Sequence, residues 1–276
     1  MPPRASVVLS TYNQPHVLDL ALTGYARQST TDFEILIGDD GSGPETAALI
    51  ERHAKELPVP LVHVWQPDVG FQKARAVNRA VLRSGGEWLI FSDGDCIPSR
   101  TFVEEHLAAE QRRHFVIGGH IRLSPAETEA LTAEDVRSGR FEELGSRWER
   151  ANLWLMHAKS VAYIAIKKRR KPKFYGLNFS LARDDFFALN GYDSTYKNIA
   201  KEDSDLRNRM QLAGYRAVSL WHRARVYHQS HPPHNTRRLW REGVNYYNRR
   251  DLRPEAPDGL RELAAEIAAE AAPAGS

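Results

Sequence analysis

One cysteine, Cys96, is all that the 276 residues carry, so no disulfide can form within the chain and a reducing compartment fits. No Cys/His spacing of the zinc-binding kind occurs. No apolar run approaches the roughly 20 residues that span a bilayer. The start, Met-Pro-Pro-Arg-Ala-Ser, leads into a strand without a signal peptide's apolar region. Neither sign of charge dominates: 38 Lys and Arg against 35 Asp and Glu leave a net charge of +3, too little to mark a nucleic-acid binder. No Gly-x-Gly-x-x-Gly follows the first apolar strand, which excludes a Rossmann dehydrogenase, and no internal repeat occurs. Against these absences stand 42% apolar residues, enough for a sizeable core, and an ordinary 26% charged residues. The expectation is a cytoplasmic protein of one large or two small domains.

What is present is an alternation of strands and helices. Residues 6–10 read as a buried strand stopped by the turn residues of 11–15, and 16–28 carry apolar positions at helical spacing. A strand at 33–38 closes on Asp39-Asp40-Gly41-Ser42, and Pro44 opens a helix. Residues 61–65 form a third strand, 70–82 a loop and helix, and 88–92 a fourth strand. This order implies an α/β fold with a mostly parallel sheet and helices on both faces. Its ligand crevice then lies at the carboxyl ends of the strands, at Thr11–Asn13, Asp39–Ser42, Gly70–Lys73 and Asp93–Asp95. Later segments predict a helix at 101–113, strands at 115–121 and 174–182, and a helix at 184–189. Acids in its first turn mark a helix starting at Glu202, and short strands follow at 217–220 and 225–227. The tail from 257 is Ala/Glu-rich and amphipathic.

Residues 125–171 are polar and helical, with Trp148 and Trp154. They end in the basic run Lys167-Lys168-Arg169-Arg170-Lys171 ahead of Pro172 and Lys173. The run reads either as a solvated face or as a patch for anionic lipid headgroups or an anionic glycan. For Trp148, Trp154, Tyr175 and Trp240, core packing competes with stacking on sugar rings, and core packing is the expected role of most of them.

The chemistry concentrates at Trp88–Pro98, where an apolar strand ends in Asp93-Gly94-Asp95. Gly94 can bend the strand out of its pleat so that both acids point one way. Hard oxygens of that kind suit Mg²⁺ or Mn²⁺ bridged to a diphosphate, although Asp-x-Asp alone favours a solvated turn. Asp39 and Asp40 can likewise be turn residues, Arg75 a solvated helix position, and Glu202–Asp205 helix-capping acids.

Four blocks decide between these alternatives: 7–13 (Val-Val-Leu-Ser-Thr-Tyr-Asn), 39–42 (Asp-Asp-Gly-Ser), 92–95 (Ser-Asp-Gly-Asp), and Gly191-Tyr192-Asp193 with Glu202-Asp203-Ser204-Asp205-Leu206. Together they resemble family 2 glycosyltransferases of the GT-A fold. Segments 70–80 and 176–181 resemble a subgroup with a galactosyltransferase-like C-terminal half, which makes bacterial capsule, lipopolysaccharide and related glycans. The resemblance covers about residues 5–232, apart from the 125–171 insert. It implies a transferase domain at 1–235, with a nucleotide-binding half (1–120), a helical and basic insert (121–173) and an acceptor and catalytic half (174–235). A C-terminal helical extension follows at 236–276.

Residue by residue, the resemblance implies that Thr11 and Asn13 border the nucleotide and that Asp39 and Asp40 serve its uracil and ribose. Lys73, Arg75 and Asn78 meet ribose, diphosphate or donor sugar, with Val77 standing where related members often carry Arg. Asp93 and Gly94 belong to the nucleotide-sugar site, Asp93 holding ribose and metal, and Asp95 ligates the ion. His228 supplies a late histidine ligand, with His231 as the alternative and His234 the third of the cluster. Asp203 is the base and Glu202 orients the acceptor. The expected reaction is metal-dependent and inverting, from a UDP-sugar of galactose or N-acetylhexosamine type to a glycan or glycolipid hydroxyl, with Mn²⁺ or Mg²⁺. The partners expected are these two substrates and an anionic membrane touched peripherally through 167–173, with no nucleic acid. A catalytically inactive glycan- or lipid-binding module and a nucleotidyltransferase are the rival readings.

Overall fold

The computed structural model describes residues 2–197, 201–231 and 251–271. Its centre is an eight-stranded sheet. β1 (Ala5–Thr11), β2 (Phe33–Asp39), β3 (Leu61–Trp65) and β4 (Trp88–Asp93) are followed by β5 (Cys96–Pro98), β6 (His114–Arg122), β7 (Asn178–Ala182) and β8 (Arg216–His228). The strand order is β3-β2-β1-β4-β7-β6-β8-β5. β3, β2, β1 and β4 run parallel, β7 is antiparallel to β4 and β6, and β6 and β8 are again parallel. The expected nucleotide and catalytic halves therefore share one sheet, joined across β4 and β7.

Burial follows the pleat. On β1 and β4, Val8, Leu89 and Phe91 enter one core, and Val7, Leu9 and Ile90 enter the other on the opposite face. Phe91 stacks on Phe179 of β7 at 4.4 Å between ring centroids, fastening the two halves through their side chains. The helices α1 (Pro15–Tyr25), α2 (Pro44–Glu56) and α3 (Lys73–Val81) return each parallel strand to the next. Proline at the start of α1 and α2 sits where no helical N–H is lost.

Several boundaries differ from the sequence expectation. The helix expected at 101–113 is α4, Phe102–Ala108 only. Residues 96–98, past the expected strand, form the edge strand β5, which pairs with β8 and has no strand on its outer side, a position that tolerates Pro98. The strand expected at 174–182 begins at Asn178. The two short strands at 217–220 and 225–227 are one strand, β8, whose pairing jumps from Gly118–Leu220 to Gly119–Arg225. Gly119 permits that bulge, because a Cβ there would meet the Trp221 carbonyl at 1.9 Å.

The insert holds α5 (Pro125–Ala130), α6 (Ala133–Ser138), a 3₁₀ turn at Arg140–Glu143 and the long α7 (Arg147–Ala165). Ser124 and Thr132 close capping boxes on α5 and α6. α8 (Arg183–Ala188), α9 (Glu202–Leu212) and α10 (Leu260–Ala271) complete the described helices. No helix among the described residues is long and apolar enough to cross a membrane. His234, Trp240 and positions 236–250 of the expected extension lie outside the described residues.

Candidate active site

The carboxyl ends of β1, β2 and β4 open into a cleft of about 300 Å³. Ser10, Thr11, Tyr12 and Gln14 line one side, Asp40, Phe71 and Lys73 another, and Asp93-Gly94-Asp95 the floor. Glu202 and Asp203 face them from the start of α9, and His228 and His231 close the end after β8. Gly94 is pinned by its N–H donating to the Ser10 carbonyl at 2.8 Å. A side chain at that position would press on the same oxygen.

At the β2 end the two adjacent acids divide their work. Asp39 is fully buried, accepts the Ser42 N–H at 2.8 Å and meets His63 Nε2 at 2.7 Å. Burial pushes its carboxyl up, but His63 and Ser42 outweigh that and hold it below the usual range. Asp39 braces the loop and does not line the cleft. Asp40 does, while accepting Gln72 N–H and Gln66 Nε2, both at 2.7 Å, and burial raises its pKa.

Asn13, expected at the nucleotide, ties two loops together instead. Its N–H donates to Ser42 Oγ and its Oδ1 accepts Gly43 N–H, both at 2.9 Å. Asn78, expected in the same role, is wholly buried and brackets the Tyr192 backbone, donating to its carbonyl at 2.8 Å and accepting its N–H at 2.9 Å. Arg75 reaches away from the cleft to Glu266 of α10 at 2.5 Å. Val77 packs in the core, so its position offers no phosphate contact.

Among the described residues, Lys73 is the ammonium that lines the cleft. Its Nζ lies 2.6 Å from Asp93 Oδ1, which also accepts the Ser10 hydroxyl at 2.8 Å. Burial alone would lower the ammonium pKa, but the charges of Asp93, Asp203 and Glu202 reverse the sign and raise it.

Across Gly94, Asp95 Oδ2 lies 3.5 Å from His228 Nε2 and 3.3 Å from His231 Nε2. Two donors each about 2.1–2.2 Å from one ion sit about 3.0–3.5 Å apart at octahedral to tetrahedral angles, so Asp95 is spaced to share a divalent cation with either histidine. The β5–β8 pairing sets this spacing, with Cys96 opposite His228 and the Gln229 N–H donating to the Asp95 carbonyl at 3.0 Å. Burial would raise the Asp95 pKa, and the two histidines bring it below normal. The Cys96 sulfur is also close. Burial and the charges of Asp95 and Asp93 push its thiol pKa well up, however, so it remains a donor to Asp95 Oδ1 rather than a thiolate ligand.

At the opposite wall, Asp203 Oδ2 accepts Gly176 N–H at 3.0 Å and Oδ1 accepts the Tyr192 hydroxyl at 3.1 Å. Only glycine fits at 176, since a Cβ there would lie 2.3 Å from Asp203 Oδ1. Burial raises the Asp203 pKa, while Lys73 pulls it back. Burial and the neighbouring Asp203 push Glu202 up to about 7. The capping role considered for Ser204 and Asp205 does not occur: α9 has no side-chain cap, and Asp205 is paired with Arg209 at 2.7 Å inside the protein.

The crevice ranges expected from the sequence include Tyr12 and Phe71, which line the cleft, but miss Gln14, one residue past the 7–13 block. Periodicity carries no signal for such loop positions.

A largely parallel sheet with acids and histidines at its carboxyl edge defines the GT-A class of fold. The mannosyltransferase PcManGT from Pyrobaculum calidifontis, described in complex with GDP-Man and Mn²⁺, superposes with a TM-score of 0.59 at 21% identity, covering 100% of this chain and 77% of that one. Staphylococcus aureus TarS 1–349 in complex with UDP-GlcNAc gives 0.55 at 15% identity over 97% and 66%. Residues 6–165 match the profile of glycosyl transferase family 2, and 157–232 match one described as the N-terminal domain of galactosyltransferase. The chain belongs to glycosyl transferase family 2. Validoxylamine A glucosyltransferase from Streptomyces hygroscopicus subsp. jinggangensis is 28% identical over 223 residues, 77% of this chain. The match takes in 52% of that relative, so the chain spans about half its length.

Proposed function

We propose that the protein transfers a sugar from a UDP-sugar, of galactose or N-acetylhexosamine type, to a hydroxyl of a glycan or glycolipid acceptor in surface polysaccharide synthesis. One observation carries this reading: a single cleft brings together Asp40, Lys73, Asp95 with His228 and His231, and the adjacent acids Glu202 and Asp203. That PcManGT is described with GDP-Man and Mn²⁺, and TarS with UDP-GlcNAc, supports a nucleotide-sugar donor and a divalent ion.

In this reading Thr11 and Asp40 border the nucleoside. Asp95 and His228, with His231 and Asp93 beside them, would hold Mn²⁺ or Mg²⁺, which would supply Lewis acidity against the charge of the diphosphate leaving group. Lys73 adds a fixed positive charge on the same side. Asp203 takes the proton of the acceptor hydroxyl as that oxygen forms its bond to the anomeric carbon and the bond to the UDP oxygen breaks. Tyr192 and Gly176 hold the Asp203 carboxylate still, and Glu202 orients the acceptor. One base and a direct attack give inversion, since retention by double displacement requires a second carboxylate as nucleophile. The basic run at 167–173 supports a peripheral contact with an anionic membrane.

The test is thermal stability against a panel of nucleotide sugars with and without Mn²⁺, on wild type and Asp95→Ala. A UDP-sugar that raises the melting temperature only with metal, and only when Asp95 is present, supports the reading by mass action. No shift with any nucleotide overturns it in favour of an inactive binding module.

A further inference from the structure

Core packing, the role expected of most of Trp148, Trp154, Tyr175 and Trp240, fails for the first two: they are 67% and 63% exposed. They lie on α7, which is apolar on two sides. Leu153 is buried against the sheet, while Trp148, Trp154, Leu155, Val161 and, just past the helix, Ile166 face outward. Apart from Arg147 and Lys159, every exposed position of this helix is apolar, alanines filling the gaps at 151, 158, 162 and 165. An exposed apolar stripe this continuous marks an interaction surface.

The end of the stripe indicates what covers it. Directly after Ile166 the chain turns through Lys167 and Arg170, both at positive φ. The turn forms a basic hollow of about 550 Å³ lined by Lys167, Lys168, Arg169, Lys171 and Arg216. None of these five cations forms an ion pair with a described acid, and no carboxylate of the described residues lines the hollow. Lys168 and Lys171 instead sit over the Tyr163 ring, at 5.0 and 5.9 Å from its centroid. Cations at a helix C-terminus also favour its dipole, but that accounts neither for a hollow free of acids nor for the apolar stripe beside it.

We infer that α7 is an in-plane membrane anchor: its outer face enters the acyl boundary of an anionic phospholipid surface, and the 167–171 hollow takes the headgroup phosphates. Tryptophans, an apolar helix face and a neighbouring cluster of unpaired cations are the three parts of such a contact. The inference rests on the membrane reading of the basic run and adds to it the element that penetrates.

The test sediments the full chain with vesicles of phosphatidylcholine, alone or mixed with phosphatidylglycerol, at low and high salt, while tryptophan emission is followed. Wild type binds the anionic vesicles, more weakly in salt, with a blue shift. Neutralising Lys167, Lys168, Arg169 and Lys171 to Gln weakens binding by roughly fivefold per charge. Leu155→Gln with Ile166→Gln, at exposed positions and with the charge unchanged, leaves the melting temperature unchanged, weakens binding at least about tenfold and removes the blue shift. If this double variant binds like wild type, charge alone makes the contact and the anchor is overturned while the basic-run reading stands. If wild type ignores anionic vesicles at low salt, both fall. Self-association of wild type that the double variant abolishes assigns the face to a second copy and likewise overturns the anchor.

Discussion

Lys73 Nζ lies 2.6 Å from Asp93 Oδ1, on the one side of the cleft from which it also acts on Glu202 and Asp203. A single ammonium thus offsets three carboxylates, and its field lowers the pKa of both acids at the start of α9. Lys73→Met removes that field, so the base loses its proton only at higher pH. The expected result is a loss of kcat/KM of about 10²–10³-fold, the scale of deleting one electrostatic group at a reacting centre. The acid limb of the pH profile also moves upward. An unshifted limb would leave Lys73 a binding residue alone.

Glu202 makes the opposite trade between stability and activity. Its folded-state pKa of about 7 stands above the roughly 4.3 of an unfolded glutamate. The neutral form is therefore the one the fold prefers. Its contribution to stability is complete below about pH 4 and is lost as pH rises through 7. Glu202→Gln fixes the neutral state. It should melt several degrees above wild type at pH 8, match it near pH 4, and transfer sugar more slowly at both. Calorimetry at the two pH values checks this.

Much of this arrangement was legible in the sequence. The run Trp88–Asp95 announces a buried strand ending in acids, and the alternation before it places Thr11, Asp40 and Lys73 at the same edge. The pattern does not tell which polar side chains turn inward. Asn78 and Arg75 sit on the same helix as Lys73, yet tertiary partners claim them, the Tyr192 backbone for one and Glu266 for the other. Asn13 and Asp39 stand one or two residues from the cleft wall, and loop bracing engages both. The bulge that joins 217–220 and 225–227 into one strand arises from the close approach of Gly119 to Trp221, a long-range contact that local propensity does not encode.

The two histidines facing Asp95 are held differently. His228 ends β8 with its backbone in the sheet, pairing with both Cys96 and Arg122, whereas His231 lies three residues into the following loop. Preorganisation favours the strand residue as the stronger ligand. His228→Ala should weaken Mn²⁺ binding by about 10–100-fold, and His231→Ala by less, in titrations followed by calorimetry with UDP present. Asp95→Asn should match or exceed the His228 effect. A larger loss from His231→Ala would make the loop histidine the principal ligand.

Acid sensitivity has a separate origin in the core. His106 is fully buried between Ser180 Oγ at 2.8 Å and Asn178 Oδ1 at 2.9 Å, and burial drives its pKa down to about 4. His120, shielded beside Trp221, is pushed to about 4 by burial and by the positive charge of Arg122. Both rings are neutral in the fold, while the unfolded chain binds protons near pH 6.5. Their contribution is therefore present above about pH 6.5 and is lost as pH falls towards 4, by about 3 kcal/mol for His106. Urea midpoints should drop across that window in wild type. His106→Gln should start lower at pH 7, because it disturbs the bonds to Ser180 and Asn178, and should then fall less steeply on acidification by the share of one proton. Parallel slopes for the two proteins would mean that His106 is not the group that takes up the proton.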